Sequence, residues 1–378
     1  MYQRLLSQIP EKSFFLFGPR GTGKTTWVKE KFKNALYFDL LKAETYNLLL
    51  ANPSRLEDFI PKNFQGWIII DEIQKIPKLL DEVHRLIEER HLKFVLTGSS
   101  ARKIRRYGIN LLGGRALVLN MHPLTAIELG KDFKIEDYLK FGGLPAVYST
   151  NQKSEHLQSY IQTYLQQEVA FEGLTRNLAA FSRFLEVASF SQGSILNVSE
   201  VAREAYVNRK VVEDYFSILE DLLIGVRLPV FSKKAKRRLI KHSKFYFFDV
   251  GVYQALRPKG PLDDVSSLTG IALESLFFQN IRAIINYFGF DDKIFYYRTA
   301  DGVEVDFVVY GEGGIKAFEV KAKKDIFSKD LKSLKTFLDD YPMAKGYLFY
   351  GGKMRMNKDG IEIIPIEEGL FKLPKILK

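Results

Sequence analysis

The stretch that most constrains the fold is Phe14-Phe15-Leu16-Phe17-Gly18-Pro19-Arg20-Gly21-Thr22-Gly23-Lys24-Thr25-Thr26. An apolar run ends at Gly18, G-x-x-x-x-G-K-T follows, and the next residues read as helix. Strand, glycine-rich turn and helix in that order form the context of a phosphate-binding P-loop. Gly18, Gly21 and Gly23 let the backbone bend so that its N–H groups converge on phosphate oxygens. A helix starting near Lys24 aims its positive end at the same anion. Pro19, Arg20, Thr22 and Thr26 complete the loop around the phosphates of ATP or ADP. Lys24 adds a full charge to the β- and γ-phosphates, and the Thr25 hydroxyl is a ligand for Mg²⁺.

Ala35 to Leu40 reads as a second buried strand and Trp67-Ile68-Ile69-Ile70-Asp71-Glu72 as a third. A strand buried on both faces is apolar throughout and turns polar at its C-terminal end, where ligands sit. Asp71 is then the residue for the Mg²⁺ shell, and Glu72 the one that orients or deprotonates water. The glutamate and the extra strand before it point to the hydrolysing branch of P-loop proteins. Lys93 to Ser100 reads as a fourth strand ending in small polar residues. Thr97 or Ser99 there can sense a γ-phosphate, although Ser and Gly are also ordinary at a strand-to-turn junction. Ala116 to Asn120 is a fifth strand. Strands alternating with helices predict an α/β domain with a parallel sheet.

Further motifs follow in order: Ile73-Gln74 after the carboxylates, Leu96-Thr97-Gly98-Ser99-Ser100, Gly114-Arg115, His122-Pro123-Leu124 and Gly142-Gly143-Leu144-Pro145. With the P-loop and Asp71-Glu72, this set resembles the AAA+-type ATPases of archaea and bacteria that carry a C-terminal domain of unassigned function. The resemblance spans essentially the whole chain. It implies an ATPase fold more definitely than a biological task. Arg115 is a candidate for a γ-phosphate contact, in cis or across a subunit interface; it also reads as an exposed arginine beside flexible glycines. Arg102, Lys103, Arg105 and Arg106 make the preceding loop basic, fit either to track a nucleic-acid backbone or to face solvent.

A length of 378 residues suggests several domains. The patterns divide the chain into an AAA+-like P-loop domain at 1–125, a helical region at 126–190, a winged-helix domain at 191–262 and an α/β domain at 263–378. Cysteine is absent, which removes disulfides, thiolate catalysis and cysteine zinc sites. The first residues carry no apolar core of signal-peptide length, and no apolar run approaches a membrane span, so a cytoplasmic protein is expected. The net charge of +11 favours anionic partners, DNA first among them.

Val198 to Ala205 reads as a short helix, and Asn208 as the N-cap of a second, with Val211, Val212, Tyr215, Phe216, Leu219, Leu222 and Leu223 on one face. Paired strands at Val226–Pro229 and Lys244–Asp249 complete a winged helix. Lys233, Lys234, Lys236, Arg237, Arg238, Lys241 and Lys244 lie between or at those strands and read as a basic wing that would contact phosphate without reading sequence. Glu213 and Asp214 on the second helix oppose docking into a groove. A lid on the ATPase or a protein contact is the alternative.

From Leu268 the order becomes helix, three strands, helix, strand. Asp306 on the second of those strands and Glu319-Val320-Lys321 on the third resemble the PD-(D/E)xK nuclease fold. Glu319 and Lys321, two apart on a strand, share a face. The resemblance implies that Asp306 and Glu319 hold Mg²⁺ (or Mn²⁺), that Lys321 positions water or stabilises developing charge, and that Glu274 on the helix is the extra carboxylate of resolvase-like members. Val305 stands where the fold's name has proline. Two functions follow: an ATP-driven DNA-processing enzyme with a Mg-dependent nuclease-like tail, or an ATP-dependent switch that holds a protein partner, with the tail as an interaction module. The oligomeric state is not legible.

Overall fold

A computed structural model describes residues 2–6, 8–100, 111–165, 177–233, 237–240, 242–261 and 263–378. It falls into two compact units, Leu6–His122 with Asp221–Leu223, and Met1–Leu5 with Pro123–Glu220 and Ile224–Lys378.

In the first unit the strands are β1 (Phe14–Phe17), β2 (Leu36–Asp39), β3 (Trp67–Asp71), β4 (Lys93–Gly98) and β5 (Leu117–Asn120). They form one parallel sheet in the order β2-β3-β4-β1-β5. Helices α1 (Lys24–Lys31), α2 (Ala43–Ala51) and α3 (Leu79–Arg90) connect them. The α/β parallel-sheet expectation holds here. Phe15, Ile68, Ile70, Phe94 and Leu96 are buried in one core with Leu80, Val83 and Leu86 of α3. β4 lies between β1 and β3, so the P-loop after β1 and the carboxylates after β3 meet across its end. Open parallel sheets bind ligands at such carboxyl ends.

In the second unit α4 (Ile135–Phe141), α5 (Leu178–Ser189), α6 (Val198–Glu204) and α7 (Arg209–Asp221) lead into the antiparallel pair β6 (Gly225–Leu228) and β7 (Lys244–Phe247). Asn208 caps α7, its side chain accepting from Val211 N at 2.9 Å. The segment between β6 and β7 departs from the expectation of a projecting wing. Pro229 and Phe231 pair with Tyr296 (3.0 and 2.7 Å), and Ile240 and Arg238 with Arg298 and Ala300 (3.1 and 2.9 Å). Phe231 is fully buried beside Tyr297, Leu334 and Phe337. The cause is an open strand edge with unpaired N–H and C=O groups, which the segment covers. Lys234, Lys236 and Lys241, like Arg102, Lys103, Arg105 and Arg106, lie outside the described residues.

After α8 (Val250–Leu256), the helix α9 (Val265–Tyr287) packs on a six-stranded sheet. Its strands are β8 (Lys293–Arg298), β9 (Glu304–Gly311), β10 (Gly314–Lys321), β11 (Lys345–Tyr350), β12 (Met356–Lys358) and β13 (Ile361–Pro365), in the order β12-β13-β11-β10-β9-β8. Helices α10 (Lys332–Asp340) and α11 (Ile366–Leu377) complete it. Among the described residues α9 is long and apolar enough to cross a membrane by length and composition, but 67% of its most apolar window is buried. Phe277 explains this: its ring contacts Phe307, Phe318 and Phe349 at centroid distances of 5.4, 5.4 and 5.0 Å. Each such side chain stabilises by about 1.5–3 kcal/mol on burial.

The Gly142-Gly143 motif has a structural cause. Gly142 ends α4 at φ +72°, and a Cβ there would lie 2.0 Å from the Asp249 carboxylate. Asp249 is wholly buried and accepts from Gly143 N (2.8 Å), Val252 N (3.1 Å) and Gln279 Nε2 (3.1 Å). Burial pushes its carboxyl up to about 6 despite these donors.

Candidate functional site

The P-loop geometry follows from its residues. Gly21 and Gly23 take φ of 82° and 90°, backbone that side-chain-bearing residues avoid. Gly18 is required for a different reason: a Cβ there would lie 2.3 Å from the carbonyl oxygen of Met121. Thr22 is buried and donates to Pro19 O at 2.8 Å, which closes the loop on itself. Lys24 is buried at the start of α1, its ammonium 2.7 Å from Gly18 O and 3.1 Å from Pro19 O. Arg20 and Thr26 are exposed on the loop and on the first turn of α1.

Thr25 reaches across to β3, where its hydroxyl donates to Asp71 Oδ2 at 2.9 Å. Asp71 also accepts from Tyr37 on Oδ2 and from Thr97 on Oδ1. The Tyr37 phenol is pushed up, first by burial and then by Asp71. One hydroxyl and one carboxylate converging on a single point are hard oxygen donors, the set that suits Mg²⁺.

Glu72 adopts φ 63° and ψ 46°, a left-handed conformation that costs a residue with a side chain about 1–2 kcal/mol. Its carboxylate accepts from Gln74 Nε2 and, at 3.3 Å, from Ser99 Oγ. Gln74 Nε2 also lies 3.0 Å from Ser99 Oγ, while the buried Gln74 Oε1 has no hydrogen-bond partner among the described residues. Thr97 and Ser99 therefore divide their work: Thr97 holds Asp71 and Ser99 faces Glu72. Arg115, read either as a phosphate contact or as an exposed arginine beside glycines, is exposed and paired with Glu88 of α3. An exposed arginine next to an exposed carboxylate at close range takes that partner first. The sequence reading missed Tyr37 and Gln74. Gln74 carried a signal, a polar residue two places after Glu72 and next to the buried Ile73.

A second cluster lies in the other unit. Glu274 of α9, Asp306 of β9, and Glu319 and Lys321 of β10 are brought together. Asp306 Oδ2 accepts from Val320 N at 2.8 Å, and Lys321 donates to Glu319 Oε2 at 2.7 Å. Burial raises Glu319 well above the carboxylate range, and the Asp306 charge raises it further. Burial likewise raises Glu274 to about 7 against the pull of Lys244. Lys244, expected in a wing, is 2% exposed and paired with Glu304 (2.6 Å) and Glu274 (3.3 Å). The last position of a basic run became a core cation because β7 starts there and faces inward. Tyr246 donates to Glu274 as well. Among the described residues no three acidic or histidine side chains form a ready-made metal cage. Arg237, a further expected phosphate contact, is bound to Asp340 at 2.7 Å, while Lys233 and Arg238 are exposed.

Residues 10–130 match the family described as the AAA domain. That segment is the P-loop unit that holds Lys24, Asp71 and Glu72. Residues 132–263 and 269–369 match two domains of unknown function, DUF8612 and DUF4143. Uncharacterised proteins of Mycobacterium tuberculosis and Mycobacterium bovis are each 24% identical over 368 residues, covering 93% of this chain and 80% of theirs. One of Haemophilus influenzae is 19% identical over 325 residues, covering 81% and 78%. Among solved structures, the Aeropyrum pernix ORC1 protein in complex with DNA overlaps 67% of this chain and 88% of its own, at 16% identity and a TM-score of 0.26. The ADP form of Aeropyrum pernix ORC2 overlaps 71% and 88%, at 11% identity and a TM-score of 0.30. Likeness this loose carries no functional argument.

Proposed function

We propose that this ATPase is Mg-dependent and acts on DNA, with a second, nuclease-like site in its C-terminal region. The observation that carries the ATPase half is the convergence of Thr25, Tyr37 and Thr97 on Asp71 beside Glu72. Mg²⁺ bound at Thr25 and Asp71 would screen phosphate charge. Lys24 and the P-loop N–H groups hold the phosphates, and Glu72 takes the proton of the attacking water while Gln74 and Ser99 fix its carboxylate. Lys24→Ala is expected to lower turnover by roughly 10²–10³-fold, the scale of losing one charge-stabilising donor. Unchanged phosphate release would remove the P-loop from the reaction.

The nuclease-like reading rests on Asp306 and Glu319 lying side by side, with Lys321 against Glu319. Two neighbouring carboxylates fit Mg²⁺ or Mn²⁺, and such an ion would supply a Lewis acid for one phosphodiester. Lys321 then holds or orients the water and meets the charge that develops. Lys210, Lys233 and Arg238, all exposed, and Tyr206, 85% exposed beside α7, are the contacts we assign to DNA. Incubation of linear, single-stranded and branched DNA with Mn²⁺ tests this: cleavage that Lys321→Ala abolishes and Asp306→Asn weakens supports it. No cutting of any substrate, with no Mn²⁺ bound between Asp306 and Glu319, refutes it. The pairing of Lys244 with Glu274 and Glu304 favours a second reading, in which the cluster is a structural clamp and the region binds a protein.

A further inference from the structure

Along β10, Lys316 and Phe318 alternate with Ala317 and Glu319, so Lys316 points away from the face that Glu319 uses. Phe318 meets Phe277 of α9 on that side, whereas Ala317 packs with Leu334 and Phe337 of α10 on the other. On the Lys316 face a cavity of about 400 Å³ opens against α11. Its wall holds six basic residues, Lys316, Lys345, Arg355, Lys372, Lys375 and Lys378, and one acid, Glu362.

This arrangement carries a cost. Lys316 and Lys345 are direct partners in the parallel register of β10 and β11. Like charges side by side on neighbouring strands repel. Lys316 is also buried, 2% exposed, and among the described residues its ammonium donates to carbonyl oxygens, Gly313 O at 3.0 Å and Leu377 O at 2.8 Å. Gly313 leaves it room, since a Cβ there would lie 2.7 Å from Nζ. Burial lowers the Lys316 pKa, Asp292 opposes this, and Lys345 adds to it. Two of the acids at hand are already used, Glu362 by Arg355 and Glu368 by Lys372 at 2.5 Å, while Asp292 offsets part of the Lys316 charge alone. Lys345 and Lys375 have no ion-pair partner among the described residues.

An anion resolves this excess of charge. The volume lies in the range of small-ligand sites, roughly 300–1,000 Å³. Lysine ammoniums bind phosphate as point charges, and arginine adds a planar fork. We propose that the cavity walled by Lys316, Lys345, Arg355 and Lys375 is a binding site for a phosphate ester, supplied by a nucleic-acid backbone or by a free polyphosphate. It lies on the opposite face of β10 from Glu319 and is independent of the nuclease-like reading.

The test uses the full chain with Lys24→Ala, so that the P-loop does not compete. Calorimetric titration with sodium pyrophosphate, and separately with a short single-stranded oligonucleotide, is compared with the same chain also carrying Lys345→Ala and Lys375→Ala. Both added substitutions remove exposed, unpaired side chains, so the fold is kept. At least one ligand is expected to bind about tenfold or more weakly in the added variant. Loss of pyrophosphate binding identifies a free phosphate compound as the source. Loss confined to the oligonucleotide, with the log–log salt slope falling by about two, identifies a backbone. Equal affinities in the two chains for both ligands, or no binding of either, overturn the proposal. As a second check, Lys345→Met without ligand is expected to raise the melting midpoint by relieving the repulsion; a lower midpoint contradicts the argument from cost.

Discussion

The two carboxylate clusters are held in opposite ways. Asp71 and Glu72 are gripped by neutral donors: hydroxyls of Thr25, Tyr37, Thr97 and Ser99 and the amide of Gln74. Glu274 and Glu319 are gripped by lysines, the buried Lys244 and the half-buried Lys321. A carboxylate oriented by hydroxyls keeps its charge for an incoming cation. A carboxylate paired with an ammonium has already been compensated, and an ion must compete with that partner. The first arrangement suits a cation, and the second doubles as a brace inside the fold.

The largest expected effect that separates them is on the brace. Lys244→Met leaves Glu274 without its cation in a buried setting, while Glu304 keeps Arg298, at a cost of about 3–5 kcal/mol. Far-UV circular dichroism during urea unfolding measures it. A loss below about 1 kcal/mol would place Lys244 among surface pairs and erase the contrast.

Asp249 sharpens the comparison from within the same unit, because it is buried with neutral donors and, among the described residues, no ion-pair partner. Its folded pKa of about 6 stands above the ordinary 3.8, so the fold prefers the protonated form. Its contribution to stability is complete below about pH 4 and is lost as pH rises through 6, by about 3 kcal/mol in all. The difference in pH slope between the unsubstituted chain and Asp249→Asn, over pH 4–7, reads this term. Parallel slopes would show that Asp249 is ionised in both states.

The smallest effect concerns a neutral donor. Tyr37→Phe removes one hydroxyl from Asp71 and should cost about 1 kcal/mol. Both tryptophans, Trp27 and Trp67, lie in the ATPase unit, so their fluorescence during unfolding reports it. A loss as large as that of Lys244→Met would mean that hydroxyl and lysine partners are equivalent here.

The sequence disclosed what has a strong local signature. Gly18 to Thr25 and the run into Asp71-Glu72 are legible because phosphate loops and buried parallel strands tolerate few residue types. The order of strands in the C-terminal sheet was legible up to β11, whereas β12, β13 and α11 went unread. Lys244 and Arg237 were misread because a basic run looks the same whether its members face solvent or carboxylates far along the chain. Asp340 and Glu274 lie 103 and 30 residues from those partners. The pairing of the Pro229–Ala300 region had one visible hint, the apolar pairs Val230-Phe231 and Leu239-Ile240 that bracket the charges.

The central claim is that Glu72, held by Gln74 and Ser99, activates water for ATP hydrolysis. Phosphate release and Mg-ATP binding by Glu72→Gln test it together. The substitution keeps size and hydrogen-bonding capacity and removes the charge that draws a proton from water. Binding should stay within about threefold while release slows by roughly 10²-fold or more. Release at the unsubstituted rate, with binding intact, would contradict the account.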